Sequence, residues 1–392
     1  MVKRAYKYRF YPTNEQARNL AQTFGCCRFV YNSALATRKR AYFDHQRKIK
    51  TSELSASVTA LKQEKGMAWL RDVSSVPLQQ ALRHLDSAYK NFFEGRAKYP
   101  TFKKKHKGQS ATYTDNAFTW RDGRLILAKQ KDPLDIVWSR PLPENARISS
   151  VTVSKDPAGR SFISLLVDEW IEPLPMTEKV VGVDLGLTSL LITSDGETIA
   201  NPKHFHRYEK KLARVQRRHA KKKKGSKNRD KAWRKVARLH ARIADTRRDY
   251  QHKVTTRLIR ENQVICLEDL YVAGMLKNHC LAKAISDVGW GEIRRQLEYK
   301  AAWYGRSVVI IDRWEASSKT CSACEYTLDS LTLDVREWVC PACGVCHDRD
   351  INAAHNILAA GLAVVAACGE NVRPATSKGA EAVLNEAGRL SS

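Results

Sequence analysis

Residues 4–12, RAYKYRFYP, alternate aromatic with basic side chains and stop at Pro12, which predicts a strand with one wet, cationic face. At Thr13 the period lengthens. Thr13 and Gln16 form a capping-box pair, and Leu20, Phe24, Phe29, Val30 and Leu35 supply the apolar face of a helix. Helical spacing returns over 52–64 and 78–95, where Leu78, Leu82, Leu85 and Tyr89 make one stripe. A basic loop, KYPTFKKKHKG (98–108), follows. Beyond it the runs ATYTDNAFTW, RLILA, ARISSVTVSK and RSFISLLVDEW are parted by DG, DP and AG breakers. This middle part reads as all-β.

The character changes after the linker IEPLPMTE (171–178). KVVGVDLGLTSLLITSDGETI predicts a strand, a turn, a second strand and a hairpin at Asp195-Gly196. Residues 203–260 are helical and very basic. Leu212, Val215 and His219, then Val236, Leu239 and Ile243, form a seam broken near Gly225-Ser226, as for two antiparallel helices joined at KKKKGSKN. The strand QVICLEDL, a helix from Trp290 to Tyr304, the strand RSVVIID, two C-x2-C pairs and a last helix from Arg349 to Leu362 complete the pattern. Residues 370–392 carry little periodicity and read as a loose tail.

Charge narrows the partners. The 392 residues hold 68 Lys+Arg against 41 Asp+Glu, a net +27, and residues 201–260 alone hold 23 basic and 4 acidic residues. Self-repulsion on this scale favours a polyanionic partner, nucleic acid first and an acidic membrane surface second. The longest apolar run, Ile357–Cys368, is short of the roughly 20 residues of a spanning helix, and MVKRAYKYRFYP lacks the apolar stretch of a signal peptide. Neither a membrane nor a small-molecule substrate is expected. Four of the ten cysteines form C-x2-C pairs, a metal pattern that points to a reducing, cytoplasmic setting, nucleoid-associated through nucleic acid.

Cys321 and Cys324, then Cys340 and Cys343, are separated by fifteen residues, and four thiolates at this spacing close a tetrahedral Zn²⁺ site with no open position. Cys346 and His347 could substitute as ligands, but a polar loop entering the last helix is the favoured reading. Three acids stand in unusual contexts: Asp184 inside an apolar strand, Glu268 at the end of another, and Asp350 in the first turn of a helix. Each alone reads as a cap or a salt-bridged core residue. Together, in the order strand, strand, helix, they suggest acids whose desolvation is offset by hard cations, as in two-Mg²⁺ phosphodiester hydrolysis, with Mn²⁺ as the alternative ion.

Long motifs then carry a resemblance. YRFYPTNEQ, CRFVYNSAL, AYKNFF, GVDLG, RRDYQHKVTT, LEDL, ISDVGWGEIRRQLEYKAAWYG, DRWEASSKTCSAC, REWVCPACG and HDRDINAAHNIL resemble TnpB, the RNA-guided nuclease family of insertion sequences related to type V CRISPR effectors. The resemblance implies an α+β multidomain chain. Its parts are a wedge-type β-barrel (1–12 and 106–175) with an inserted helical recognition domain (13–105), and a RuvC-like nuclease domain of RNase H fold (178–312 and 345–369) with a zinc-ribbon insert (313–344). It also implies that Asp184, Glu268 and Asp350 are the catalytic acids, that the four cysteines hold zinc in the target-nucleic-acid-binding insert, and that guide RNA and target DNA are the partners. One position departs: where the family usually has glycine after its second cysteine, Glu325 calls for a different knuckle turn.

The function expected is therefore Mg²⁺-dependent, RNA-guided cleavage of DNA beside a short flanking motif. The rivals are a guide-dependent repressor that does not cut, an RNase H-fold transposase and a zinc-ribbon transcription factor. Lys221, Lys222, Lys223 and Lys224 are expected on RNA phosphate rather than as a nuclear signal, with a solvated basic face as the plain alternative. Gln79 is the candidate reader of a flanking base and Arg83 a phosphate contact, against a surface glutamine with no partner. His204, His206 and Tyr208 imitate a single-strand transposase signature but open a basic helix, so solvated or RNA-facing histidines are expected. Asp269 should face away from Glu268, and Asp348 should cap the last helix.

Overall fold

The computed structural model describes residues 1–367 except Asn145, Ala316 and Leu333. The expected tail, 370–392, lies outside the described residues. Two units divide the chain, one formed by Met1–Trp170 and one beginning at Ile171.

In the first unit the elements are β1 (Val2–Tyr11), α1 (Asn14–His45), α2 (Thr51–Leu61), α3 (Ser75–Phe93), β2 (Gln109–Thr114), β3 (Phe118–Arg121), β4 (Arg124–Leu127), β5 (Asp135–Val137), β6 (Arg147–Lys155) and β7 (Ser161–Glu169). The alternation in β1 buries Tyr6, Tyr8 and Phe10 and leaves Lys3 and Lys7 exposed. The buried row packs with Val153, Ile163 and Leu165 of the sheet and with Leu20, Phe24, Leu78, Leu82 and Leu85 of α1 and α3. Thr13 caps α1, with Thr13 Oγ1 accepting from the Gln16 amide at 3.2 Å and Gln16 Oε1 from the Thr13 amide at 3.0 Å.

The barrel expected here is not found. Among the described residues the strands form an open antiparallel sheet, ordered β2-β6-β7-β1-β5, and β3 pairs only with β4. Closure would need edge strands β2 and β5 to pair, directly or through β3 and β4, and among the described residues they do not: a 3-10 turn at Asp115–Ala117 parts β2 from β3, and β5 has only three residues. A strand that short leaves no period in the sequence.

The second unit contains β8 (Val180–Leu185), β9 (Ser189–Thr193), β10 (Thr198–Ala200), α4 (His204–Ala220), α5 (Lys227–Glu261), β11 (Val264–Glu268), α6 (Val272–Met275), α7 (Ala282–Val288), α8 (Trp290–Tyr304), β12 (Ser307–Ile311), β13 (Glu337–Val339), β14 (Cys346–Asp348) and α9 (Arg349–Ala367). The sheet order is β10-β9-β8-β11-β12; β8 to β10 run antiparallel, and β11 is parallel to both β8 and β12. One face packs Val181, Val183, Ile265 and Leu267 against Val254, Leu258, Ile293 and Leu297 of α5 and α8. The other face lies under α9.

Two glycines set how closely α9 lies on that face. A Cβ on Gly182 would stand 2.0 Å from the Ala354 carbonyl oxygen, and one on Gly361 would stand 2.3 Å from Cys266 Sγ. The helix therefore rests almost directly on the backbones of β8 and β11. It runs five residues beyond the expected Leu362 and is long and apolar enough to cross a membrane; Ala353, Ala354 and Ile357 on one side of it are buried against the sheet. The basic hairpin is as expected, α4 and α5 meeting through Leu212, Val236, Leu239 and Ile243.

Candidate active site

The strand period brings the first two acids together. Gly182 and Asp184 share one face of β8, Cys266 and Glu268 share one face of β11, and α9 lies over both. Val183 and Leu267 are register partners across these parallel strands, so the two acids occupy the next rung, at the strands' carboxyl ends. The two carboxyls are near enough for each to act on the other's ionisation. Asp350 arrives from the first turn of α9, near enough for its charge to act on Asp184. Burial pushes the Asp184 carboxyl up to about 7, with the charges of Glu268 and Asp350 adding to the rise and Arg349 opposing it. Burial also raises Glu268, while its closeness to Asp184 and to the Leu185 amide pulls the other way. Such a cluster is unfavourable as three bare anions and suits either a proton or a divalent cation.

The neighbouring acids separate as the strand period predicts. Asp269 is paired with Arg294 at 2.6 Å and with Arg313. Asp348 caps α9, its Oδ1 accepting from the Asp350 and Ile351 amides at 3.0 and 2.9 Å. Arg336 carries no signal in the sequence, and its Nη1 lies 3.2 Å from Asp350 Oδ2. Gly182 and Gly361 are two more residues of the site that local patterning does not single out. A glycine inside an apolar strand and another within the last helix are the only signals they offer.

Beyond β12 the sulfurs of Cys321, Cys324, Cys340 and Cys343 form a cluster within 4.8 Å of one another, the donor set of a zinc-binding site. The two knuckles repeat one geometry. Cys321 N donates to Tyr326 O at 2.8 Å and Glu325 N to Cys321 O at 2.9 Å; Cys340 N donates to Val345 O and Gly344 N to Cys340 O, both at 2.9 Å. Glu325 therefore makes the same turn as Gly344 rather than a different one, holding φ at 64° where Gly344 has 73°. The expected polar loop at Cys346-His347 is instead strand β14, paired with β13. His347 is buried, its Nε2 3.0 Å from Cys321 Sγ and its ring against Trp338, so it contacts a cluster sulfur without being one of the four donors.

Most of the remaining candidates lie at the surface, while His204 and Tyr208 are half-buried. Lys221 to Lys224 are exposed between α4 and α5, and Gln79 and Arg83 lie on α3 beside its buried Leu78 and Leu82. His204, His206 and Tyr208 all sit in the first two turns of α4, so no strand presents the histidines to a tyrosine.

Comparison with known proteins agrees over the chain's length. A Streptomyces pristinaespiralis protein named "Putative RNA-guided DNA endonuclease" is 57% identical over 374 residues, covering 95% of this chain and 92% of the relative. The chain belongs to the TnpB family. Escherichia coli K12 InsQ, of the same designation, is 34% identical over 391 residues and covers 94% of each chain. Residues 150–279 of this TnpB-family chain match the IS605-type OrfB profile described as "Probable transposase", residues 290–357 a Cas12f1-like TNB domain, and residues 1–47 a helix-turn-helix domain. In the structure that last segment is one strand and a single 32-residue helix. The solved complex of Cas12f1 with single-guide RNA and target DNA shares the fold at 15% identity, with a TM-score of 0.56, covering 88% of this chain and 83% of that one. A Cas-phi3 mini RNA-guided endonuclease has a TM-score of 0.50 at 10% identity, covering 92% of each chain.

Proposed function

We infer that this protein is an RNA-guided DNA endonuclease whose chemistry is divalent-metal-dependent phosphodiester hydrolysis at Asp184, Glu268 and Asp350. The observation that carries the reading is that β8, β11 and α9 bring one acid each to the same end of the sheet, near enough for the charges of Glu268 and Asp350 to act on a half-buried Asp184. The relatives' designations and the shared fold support it. A repressor that does not cut needs no such cluster, and a transposase reading has only the profile's description behind it.

By donor type Asp184, Glu268 and Asp350 suit Mg²⁺, or Mn²⁺ in its place: all three offer carboxylate oxygens, and the Asp184 and Glu268 carboxyls are raised by burial, so a cation would restore their charged form, in competition with Arg336 at Asp350. Divalent cations bound there would lower the pKa of an attacking water and stabilise the leaving oxygen. The chain's own part is positioning. Gly182 and Gly361 let α9 approach, Asp348 holds the first turn of α9, and Asp269 is kept out of the site by its arginines. Cys321, Cys324, Cys340 and Cys343 fit one structural Zn²⁺, which would close the insert and carry no chemistry.

The same proposal assigns Lys221–Lys224 to RNA phosphate and Gln79, with Arg83, to a flanking duplex. The division into wedge, recognition, RuvC-like and insert domains belongs to it as well. Asp184→Ala in the guide-loaded protein is the test. Target DNA should be bound but uncut in Mg²⁺; cleavage at near the wild-type rate would remove the assignment.

A further inference from the structure

Glu268 and Ile311 are register partners at the ends of parallel strands β11 and β12. Three residues past that rung each strand presents an exposed aromatic residue, Tyr271 after Glu268 and Trp314 after Ile311. Trp314 is 86% exposed and Tyr271 57%. Neither side chain helps to close the core, and desolvating an exposed indole is favourable for any partner that covers it.

The Tyr271 ring is held from behind. The Tyr271 ring lies so close to Gly274 that a Cβ there would stand 2.3 Å from it, and the Arg313 guanidinium lies 5.6 Å from the ring centroid. Arg313 is tied in turn to Asp269. Trp314 sits in a turn closed by its own amide, which donates to Asp312 Oδ1 at 2.9 Å. The chain leaves β12 at Ile311, the register partner of Glu268, and Thr320 is gripped by α9, where Asn352 and Asn356 Nδ2 donate to its carbonyl at 2.7 and 2.6 Å. Asn352 lies two residues beyond Asp350. Trp314 thus rides a strap between β12, the neighbour of the strand that carries Glu268, and α9, which carries Asp350.

We propose that Trp314 and Tyr271 form a stacking platform for unpaired bases of the DNA strand entering the acid site, with Trp314 as the principal positioning residue. The occupant follows from the chemistry. A flat, exposed ring on a chain of net charge +27 suits a base of a nucleic-acid strand, because every base offers a π-face and the chain's excess positive charge favours the phosphates. The inference rests on the nuclease reading and adds how the substrate is held: the strand must be single, since paired bases have no free face, and its base next to the cut must reach the strap.

The test is single-turnover cleavage by the guide-loaded full chain, with one abasic nucleotide placed in turn at each position around the cut. Stacking of one base is worth about 1–3 kcal/mol, so Trp314→Ala should slow cleavage of intact DNA roughly 5- to 150-fold. Trp314→Phe should recover most of the rate, and Tyr271→Ala should cost less. One or two abasic positions should slow the wild type as much as Trp314→Ala does, yet add nothing further in that variant. Metal content and guide-RNA binding equal to wild type show that the variant is folded. Cleavage by Trp314→Ala within about twofold of wild type, or abasic penalties that multiply with the mutation, overturns the platform. If Asp184→Ala cuts normally, the acid-site assignment has failed; if Asp184→Ala is inert and Trp314→Ala unimpaired, only the stacking inference falls.

Discussion

Arg336 and Asp350 form an ion pair, Nη1 to Oδ2 at 3.2 Å, that joins the cysteine-bearing insert to the acid on α9. The backbone does the same beside it: Arg349 N donates to Arg336 O at 2.8 Å, and Arg349 Nη1 donates to the Thr332 carbonyl at 2.6 Å. The insert therefore orients the first turn of α9 as well as standing next to it. A guanidinium on Asp350 also competes with any cation for the same oxygens. In Arg336→Ala the Mg²⁺ concentration giving half-maximal cleavage should fall, whatever happens to the maximal rate. A Mg²⁺ titration of the guide-loaded variant checks this; an unchanged midpoint would mean that the pair does not compete.

The close seat of α9 makes Gly182 a sensitive position. Gly182→Ala puts a methyl 2.0 Å from the Ala354 carbonyl oxygen and 2.8 Å from Leu358 Cβ, both in a packed interface. Overpacking of this kind costs about 1–3 kcal/mol or more. Cleavage should fall steeply although all three acids remain. Gly25→Ala, within α1 and with nothing within 4 Å of the new methyl, should be neutral or stabilising by up to about 1 kcal/mol. Urea unfolding and cleavage assays on the two variants make the comparison.

The knuckles give a third expectation. Cys321→Ser should release the bound metal and loosen the insert, and with it the Arg336 pairing to Asp350, so cleavage should fall although the acids are untouched. Glu325→Gly relieves a left-handed residue and should stabilise the insert by about 1 kcal/mol. Metal analysis of the purified proteins and the chelator concentration that strips half of the metal are the readouts.

Asp184 ties stability to pH. Its folded-state carboxyl is raised from 3.8 to about 7, so the folded chain holds this proton to higher pH than the unfolded chain. Its stabilising contribution is fully present below the unfolded value of 3.8 and is lost as pH rises through about 7. Asp184→Asn keeps the neutral form at every pH. Without divalent cations its Tm should exceed the wild type's by a few degrees near pH 8 and converge with it near pH 4. Equal Tm values at both pH values would show that the cluster carries no such cost.

Lys221–Lys224 provide the electrostatic test. Replacing all four with Gln should weaken guide-RNA binding and flatten the dependence of log K on log salt by roughly 0.7 for each phosphate no longer neutralised. An unchanged slope would return this run to a solvated basic face.

The order of elements, the basic hairpin, the three acids and the four cysteines can all be read along the chain, because each is a local signal of period, spacing or residue type. The capping of α1 by Thr13 and of α9 by Asp348 is equally legible, since a cap spans only a few residues. Features that depend on distant partners are set by the folded arrangement. The first sheet stays open because a 3-10 turn and a three-residue edge strand leave nothing to close it. Glu325 takes a glycine's conformation because the knuckle's hydrogen bonds require it. His347 is buried on a cysteine sulfur because β14 pairs with β13. The approach of α9 at Gly182, the reach of Arg336 to Asp350 and the pairing of Glu268 with Ile311 all join positions far apart in sequence, where no periodicity connects them.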